Sequence, residues 1–415
     1  MSRKLFTQLR NEWRTNIWLA VELLIVSVVM WYVVDYFYVT YSQYMLPRGF
    51  NIDHTYLLTF NELTDKSPDF NPDLSTPEKK AEAKREILAR LSRRPEVEAA
   101  SLSQNSYPYN GSNSGLGLRY DTMYSEGYLL RRIVTPDFVK VFRYEGINGE
   151  TPEQLARILR DGKFLASDNV LSHYGDVKMR DYVGKKFWLS TAADTVPNSV
   201  LGAAIVPVRY FDYTVWNKTV VLNMNNDDYS WSNEVCIRVK DDMDKDIIEN
   251  LMADAQKQFH VGNFLLVDVR SFEDIRRNYQ RINTNEMRNM YAGLGFLMLN
   301  IFLGLFGTFW FRTRQRVHEI AIRKVNGATD GSIFRRLIGE GLLLLLVVTP
   351  LAVGIDFAIG YFEFTEWYNG FVSASRLAVT AGISLLLMAL MIVAGIYIPA
   401  RKAMKIDPAV ALKDE

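Results

Sequence analysis

Cysteine is almost missing from this chain of 415 residues, where Cys236 is the single one. One thiol cannot close an intramolecular disulfide, so any exported part has to rest on its own hydrophobic core. Histidine is nearly as scarce, with four residues. His318-Glu319 has no second histidine four places on, which excludes the paired zinc ligands of a metalloprotease helix. No G-x-x-x-x-G-K-[ST] occurs, and VGKKF from Val183 lacks the first glycine and final hydroxyl of a phosphate loop, so ATP is not bound in that manner. GSNSG at Gly111 places Asn113 where a nucleophile elbow needs serine, and it reads as a flexible loop. Net charge is lacking as well: 48 basic residues against 47 acidic ones leave +1, which gives no general attraction to nucleic acid.

Long apolar runs are present. Residues 17–37, 290–311, 337–359 and 377–398 are each long enough, at ~1.5 Å per residue, to cross ~30 Å of hydrocarbon as a helix. The second and fourth contain no charged residue, whereas the first carries Glu22 and the third Glu340 and Asp356. The flanking charges set an orientation, since basic residues near span ends resist translocation. Arg3, Lys4, Arg10 and Arg14 precede the first run, seven basic residues fall in 312–336, and Arg401, Lys402 and Lys405 follow the fourth. The hairpin 360–376 has Arg376 against Glu363 and Glu366. The expected topology has a cytoplasmic segment 1–16, a cytoplasmic loop 312–336 and a cytoplasmic tail 399–415. Residues 38–289 and the short loop 360–376 are then periplasmic.

The exported segment reads as a mixed α+β domain of two lobes. A β-α-β lobe is expected over about 50–130 and 235–270, because a strand at 56–60 leads to a helix opened by Thr76-Pro77 and then to a strand at 97–103. A strand-rich lobe is expected over about 131–234, from short β-type runs separated by Gly, Asn, Asp and Pro. A stalk helix over 271–289, capped by Ser271, is expected to run as one rod into the second span.

Between the second and third runs lies HEIAIRKVNGAT, His318 to Thr329. On a helix, Val317, Ile320, Ala321, Val325 and Ala328 form an apolar stripe, while Arg316, Glu319 and Arg323 occupy another face. Glu319 and Arg323 make a favourable i,i+4 pair, Asn326-Gly327 supplies a left-handed stop, and Asp330 is placed to cap the next helix. One reading is a juxtamembrane helix resting on lipid headgroups. The stripe lacks Trp or Phe anchors and the charges are mixed in sign, which fits protein docking better.

These residues resemble a family. Glu319-Ile320-Ala321-Ile322-Arg323-Lys324 followed by Gly327-Ala328-Thr329 is similar to the E-I-x-I-R-K-x-x-G-A-[ST] signature of FtsX-like, MacB-type ABC transporter permeases. Glu340 matches the glutamate early in that family's third span, and Pro399-Ala400-Arg401 with 406–412 matches its C-terminal ending. VTPDFVKVF from Val134 resembles a recurrent stretch of the MacB-type periplasmic domain. The resemblance implies four transmembrane helices, with the large domain inserted between helices 1 and 2. It also implies an ATPase-coupling site at Arg316, Glu319, Ile320, Ala321, Arg323, Lys324 and Gly327.

The expectation is then a non-catalytic, multi-pass permease of the bacterial inner membrane, with no cofactor of its own and with ATP and Mg bound by a separate cytoplasmic ABC ATPase dimer. Its expected partners include a second permease copy or paralogue and membrane lipid. A periplasmic adaptor and an outer-membrane protein are further candidates, and nucleic acid is not among them. The cargo would be exported, or a lipoprotein released. Two other classes remain: a membrane-anchored receptor or sensor whose exported domain binds a ligand, and a membrane enzyme acting outside. Glu22 is expected near a headgroup or a helix interface, because a lipid-facing carboxylate costs ~3 kcal/mol. For Glu340, snorkelling towards Arg335 and Arg336 competes with a coupling role. Gly293, Gly304 and Gly307 suggest close helix contact, and Pro350 a kink, as ordinary packing features.

Overall fold

The computed structural model describes residues 13–127, 129–190, 195–362 and 373–405. The chain divides into two compact units, one of Met1–Ser42 with Thr284–Glu415 and the other of Gln43–Asn283.

The chain opens with helix α1, Trp13–Met45, which overruns the expected end near residue 37. The β-rich unit follows, with β1 (Thr55–Glu62), helix α2 (Pro77–Ser92), β2 (Val97–Gln104), β3 (Ser114–Tyr120), β4 (Met123–Tyr124) and β5 (Leu129–Val134). It continues through helix α3 (Pro152–Arg160), β6 (Phe164–Ser167), β7 (Lys186–Ser190), β8 (Thr195–Ile205), β9 (Thr219–Asn223), β10 (Glu234–Val239), β11 (His260–Val261), β12 (Phe264–Ser271) and helix α4 (Phe272–Tyr279). Then come helices α5 (Arg281–Gln315), α6 (Val317–Val325), α7 (Asp330–Tyr361) and α8 (Ala374–Met404).

Local chemistry explains the starts of these helices. Thr76 Oγ1 accepts from Lys79 N ahead of Pro77, and Thr151 forms a full capping box with Gln154 ahead of Pro152. Ala81, Ala83, Ile87 and Leu91 give α2 one buried face against the sheet. The strands pair in the order β11-β12-β1-β10-β2-β5-β9-β6-β8-β7-β3-β4, with β3 also pairing β5. β10 lies between β1 and β2 and is antiparallel to both, so β1 and β2 are parallel, as a β-α-β unit requires.

Strand pairing is continuous across the two expected lobes, since β2 pairs with β5 and β5 with β9. The apolar cores are nevertheless separate. One gathers Leu58, Ile87, Leu102, Ile237 and Phe259; another gathers Leu118, Leu129, Phe164, Phe187 and Leu201. Phe138, Phe142, Leu159, Val208 and Phe272 form a third, to which Leu57 and Leu165 add from strands whose neighbouring residues face the other two cores. VTPDFVKVF thus supplies core, with Phe138, Val139, Val141 and Phe142 fully buried.

Several expectations change. Ser114–Tyr120 is a strand rather than loop, and Leu116 and Leu118 pack into the second core rather than the first. Strand β8 ends at Ile205, and the helical stretch that opens at Ile247 is broken at Asp254. The stalk is not one rod, because α4 ends at Tyr279 and Gln280 separates it from α5. The reason is a competing partner: Gln280 Nε2 donates to buried Asp212 at 2.6 Å. Asp212 also accepts from Tyr109 Oη at 3.0 Å and Arg276 Nε at 2.8 Å. Arg209, held beside it, donates to the Gln43 and Leu46 carbonyls at the end of α1.

In the other unit, α1, α5, α7 and α8 are each long and apolar enough to cross a membrane. Their shared core includes Leu23, Met30, Ile301, Phe309, Leu344, Met388 and Ile392. The opposite faces stay exposed, with Trp18, Ile25, Phe296, Leu303, Leu351 and Leu390 pointing away from it. That pattern suits hydrocarbon as solvent. Helix α7 runs on through Pro350.

Candidate coupling site

Helix α6 is short because its flanks stop it. Arg316, at φ −102° and ψ 14°, separates it from α5. At its end Gly327 takes φ +85°, a left-handed conformation cheap only for glycine, and its N–H reaches Lys324 O at 2.9 Å. Thr329, extended at φ −75° and ψ 152°, then starts α7, so Asp330 lies in the first turn rather than at the cap. From there its carboxylate sits 3.0 Å from Lys324 Nζ and ties the end of α6 to the start of α7.

The charged residues converge. Arg316 Nη1 donates to Glu340 Oε2 at 2.7 Å, and Arg336 Nε stands 3.5 Å from Glu340 Oε1. Arg316 Nε lies 3.9 Å from Glu319 Oε2, and Glu319 also pairs with Arg323. Glu340, one turn into the apolar stretch of α7, is buried and receives two guanidinium groups, which offsets its desolvation. Together with Ile320, Ala328, Ile333 and Leu337, these side chains line a cavity of about 280 Å³.

The apolar stripe is placed differently from the expectation. Ile320 is 5% exposed and Ala321 0%, and Ile320 belongs to the membrane unit's own core. They therefore hold α6 onto this chain and are not free to contact another. The face left open carries His318, Ile322, Val325 and Asn326, at spacings of four, three and one, with Ile322 at 46% and Val325 at 66% exposure. Sequence periodicity could not tell these two faces apart, since both carry aliphatic residues.

Other singled-out residues fall elsewhere. Glu22 packs at a helix interface, where a Cβ on Gly304 would come within 2.8 Å of its Oε1, so that glycine makes room for the carboxylate. Ala400 of Pro399-Ala400-Arg401 is fully buried in α8, while 406–412 lies outside the described residues, as do 1–12 and Glu363 and Glu366. Asp35 in α1 went unnoticed in the first apolar run. It is 1% exposed and takes a two-pronged bond from Arg376 of α8, at 2.9 and 2.6 Å. The signal was available: an acidic residue in one span and a basic residue at the end of another can neutralise each other.

Residues 291–408 match the FtsX-like permease C-terminal family, and that stretch contains α6, Glu340 and Arg376. Among curated proteins, the Escherichia coli macrolide export ATP-binding/permease protein MacB is 24% identical over 183 residues, which cover 44% of this chain and 28% of the relative. The Pseudomonas fluorescens pyoverdine export ATP-binding/permease protein PvdT is 30% identical over 118 residues, 27% of this chain and 17% of the relative. The chain thus spans less than a third of the length of these relatives. With four helices able to cross a bilayer, it is a multi-pass membrane protein whose C-terminal part matches the FtsX-like permease C-terminal family.

Proposed function

We propose that this chain is the permease of an ABC export system in the bacterial inner membrane, moved by ATP hydrolysis in a separate cytoplasmic ATPase dimer that binds ATP and Mg. The observation that carries this is the placement of α6: it is pinned to α7 by Arg316, Glu340 and Lys324, and it presents His318, Ile322 and Val325 outward. A rigid helix held this way passes a push on its open face to α7 directly. Both termini and α6 lie on the cytoplasmic side in this reading, and the β-rich unit lies outside.

The β-rich unit acts as the moving part on cargo, with one lobe built on the core around Leu58 and Phe259 and the other on the core around Leu118 and Phe187. A second copy or a paralogue completes the permease, lipid covers the outer helix faces, and an adaptor with an outer-membrane protein would receive exported cargo. Support comes from the relatives, whose names join ATP binding, a permease and export of a macrolide or pyoverdine. The reading is tested by gentle purification from the native membrane. The permease should bring down a subunit that hydrolyses ATP, whereas a chain that never associates with an ATPase would be a receptor or sensor instead.

A further inference from the structure

The membrane unit contains a second polar site that the coupling role does not use. Asp356 of α7 is 2% exposed, and its Oδ1 has no hydrogen-bond partner among the described residues. It lines a cavity of about 20 Å³ with Ser27 of α1, Thr349 of α7 and Ser384 of α8; the remaining lining residues are apolar. Ser27 Oγ is likewise buried and without a partner. A space of this size holds one water-sized occupant, since about 10–15 Å³ is the minimum for that.

The chemistry of the lining selects the occupant. Thr349 Oγ1 donates to Leu345 O at 2.7 Å and Ser384 Oγ to Thr380 O at 2.9 Å. Their protons are committed to backbone carbonyls, so these hydroxyls offer only lone pairs to the cavity and cannot solvate a carboxylate. Asp35 of α1 and Arg376 of α8, outside the cavity lining, are bound to each other in a buried pair. When ionised, Asp356 places a negative charge inside hydrocarbon beside oxygen acceptors, an arrangement that a bound cation relieves. Acceptor oxygens with one carboxylate are the ligand set of a hard monovalent cation.

We propose that the Asp356 cavity binds one sodium ion, held by the Asp356 carboxylate with the hydroxyl oxygens of Ser27, Thr349 and Ser384. The site needs only the membrane-spanning reading, and its test involves neither nucleotide nor cargo, so failure here leaves the ATPase-driven reading untouched.

The test is thermal unfolding of the purified full chain in nanodiscs, at constant ionic strength made up with choline chloride. At mildly alkaline pH, sodium should raise the melting temperature of the native chain above its value in choline. In choline alone, acidification should also stabilise the chain, by protonating the Asp356 carboxyl. A response to sodium identifies the metal site, and a response to acid alone overturns it. Asp356→Asn, which removes the charge and keeps the shape, should abolish both responses. Ser384→Ala should retain them but need more sodium, and it serves as the readout if the Asn variant does not fold. A native chain that does not answer to sodium, or an Asn variant that answers as the native chain does, overturns the proposal.

Discussion

Arg316 Nη1 stands 2.7 Å from Glu340 Oε2, which joins the residue ahead of α6 to the buried side of α7. The bond connects the short helix α6 to a helix long and apolar enough to cross a membrane through two side chains. Replacing Glu340 with Gln removes the charge and should cost about 1.5–3 kcal/mol, the usual range for a hydrogen bond to a charged group. The exchange Arg316→Glu with Glu340→Arg restores the pair with its direction reversed. Thermal melts should show the single change destabilising and the double exchange recovering part of the loss; equal losses would mean that the two residues do not interact.

The two faces of α6 separate association from folding. Val325→Asp alters a residue that is 66% exposed, so abundance and melting temperature should hold while ATPase association falls. Ala321→Asp instead places a carboxylate where the side chain is fully buried, at about 1–3 kcal/mol or more, so the chain itself should be lost first. Size-exclusion profiles and ATPase copurification, measured on both, distinguish the effects.

Asp212 links three parts of the β-rich unit, because it accepts from Tyr109, Arg276 and Gln280 while its neighbour Arg209 holds the end of α1. Asp212→Ala leaves the half-buried Arg276 guanidinium and the buried Gln280 amide without their acceptor, for about 1–3 kcal/mol at the buried amide before relaxation. Hydrogen exchange should rise first at 276–280, where the break between α4 and α5 depends on that carboxylate. Unchanged exchange there would show that the break has another cause.

Lys84 gives the β-rich unit an alkaline signature. Burial pushes its ammonium down to about 8, with Glu62 pulling the other way and Lys80 adding to the fall. Its Nζ donates to Ser230 O at 3.0 Å and lies over the Phe264 ring. The unfolded chain keeps this proton to near 10.5, so between about 8 and that value it binds more protons than the folded chain, and stability rises with pH. Below about 8 the charged, buried ammonium costs stability in full. Lys84→Met should flatten this part of the curve relative to the native chain when melting temperatures are compared at pH values on either side of 8. Parallel curves for the two proteins would contradict it.

How much of this was legible beforehand follows from which physical signals are local. Apolar length marked the four long helices, and Thr76-Pro77, Ser271 and Gly327 marked helix ends, because caps and left-handed stops act within a few residues. Glu319 and Arg323 paired as their spacing implied. Which face of α6 turns inward was not legible, since the choice between Ile320 and Ile322 is made by Leu337 and Ile333 of a different helix. Asp35 with Arg376 is separated by most of the chain and was hidden for the same reason. The break at Gln280 depends on Asp212, 68 residues earlier.

The central claim is that α6 meets an ATPase through its outward face. Photo-activatable residues placed singly at 322, 325, 320 and 321 in the full-length permease, cross-linked in native membranes and identified by mass spectrometry, test it most directly. The account predicts a product with an ATP-hydrolysing subunit from 322 and 325, and none from 320 or 321, where the side chains are enclosed by this chain's own helices. Capture of lipid alone at 322 and 325, or of the ATPase from 320 and 321 instead, would contradict it.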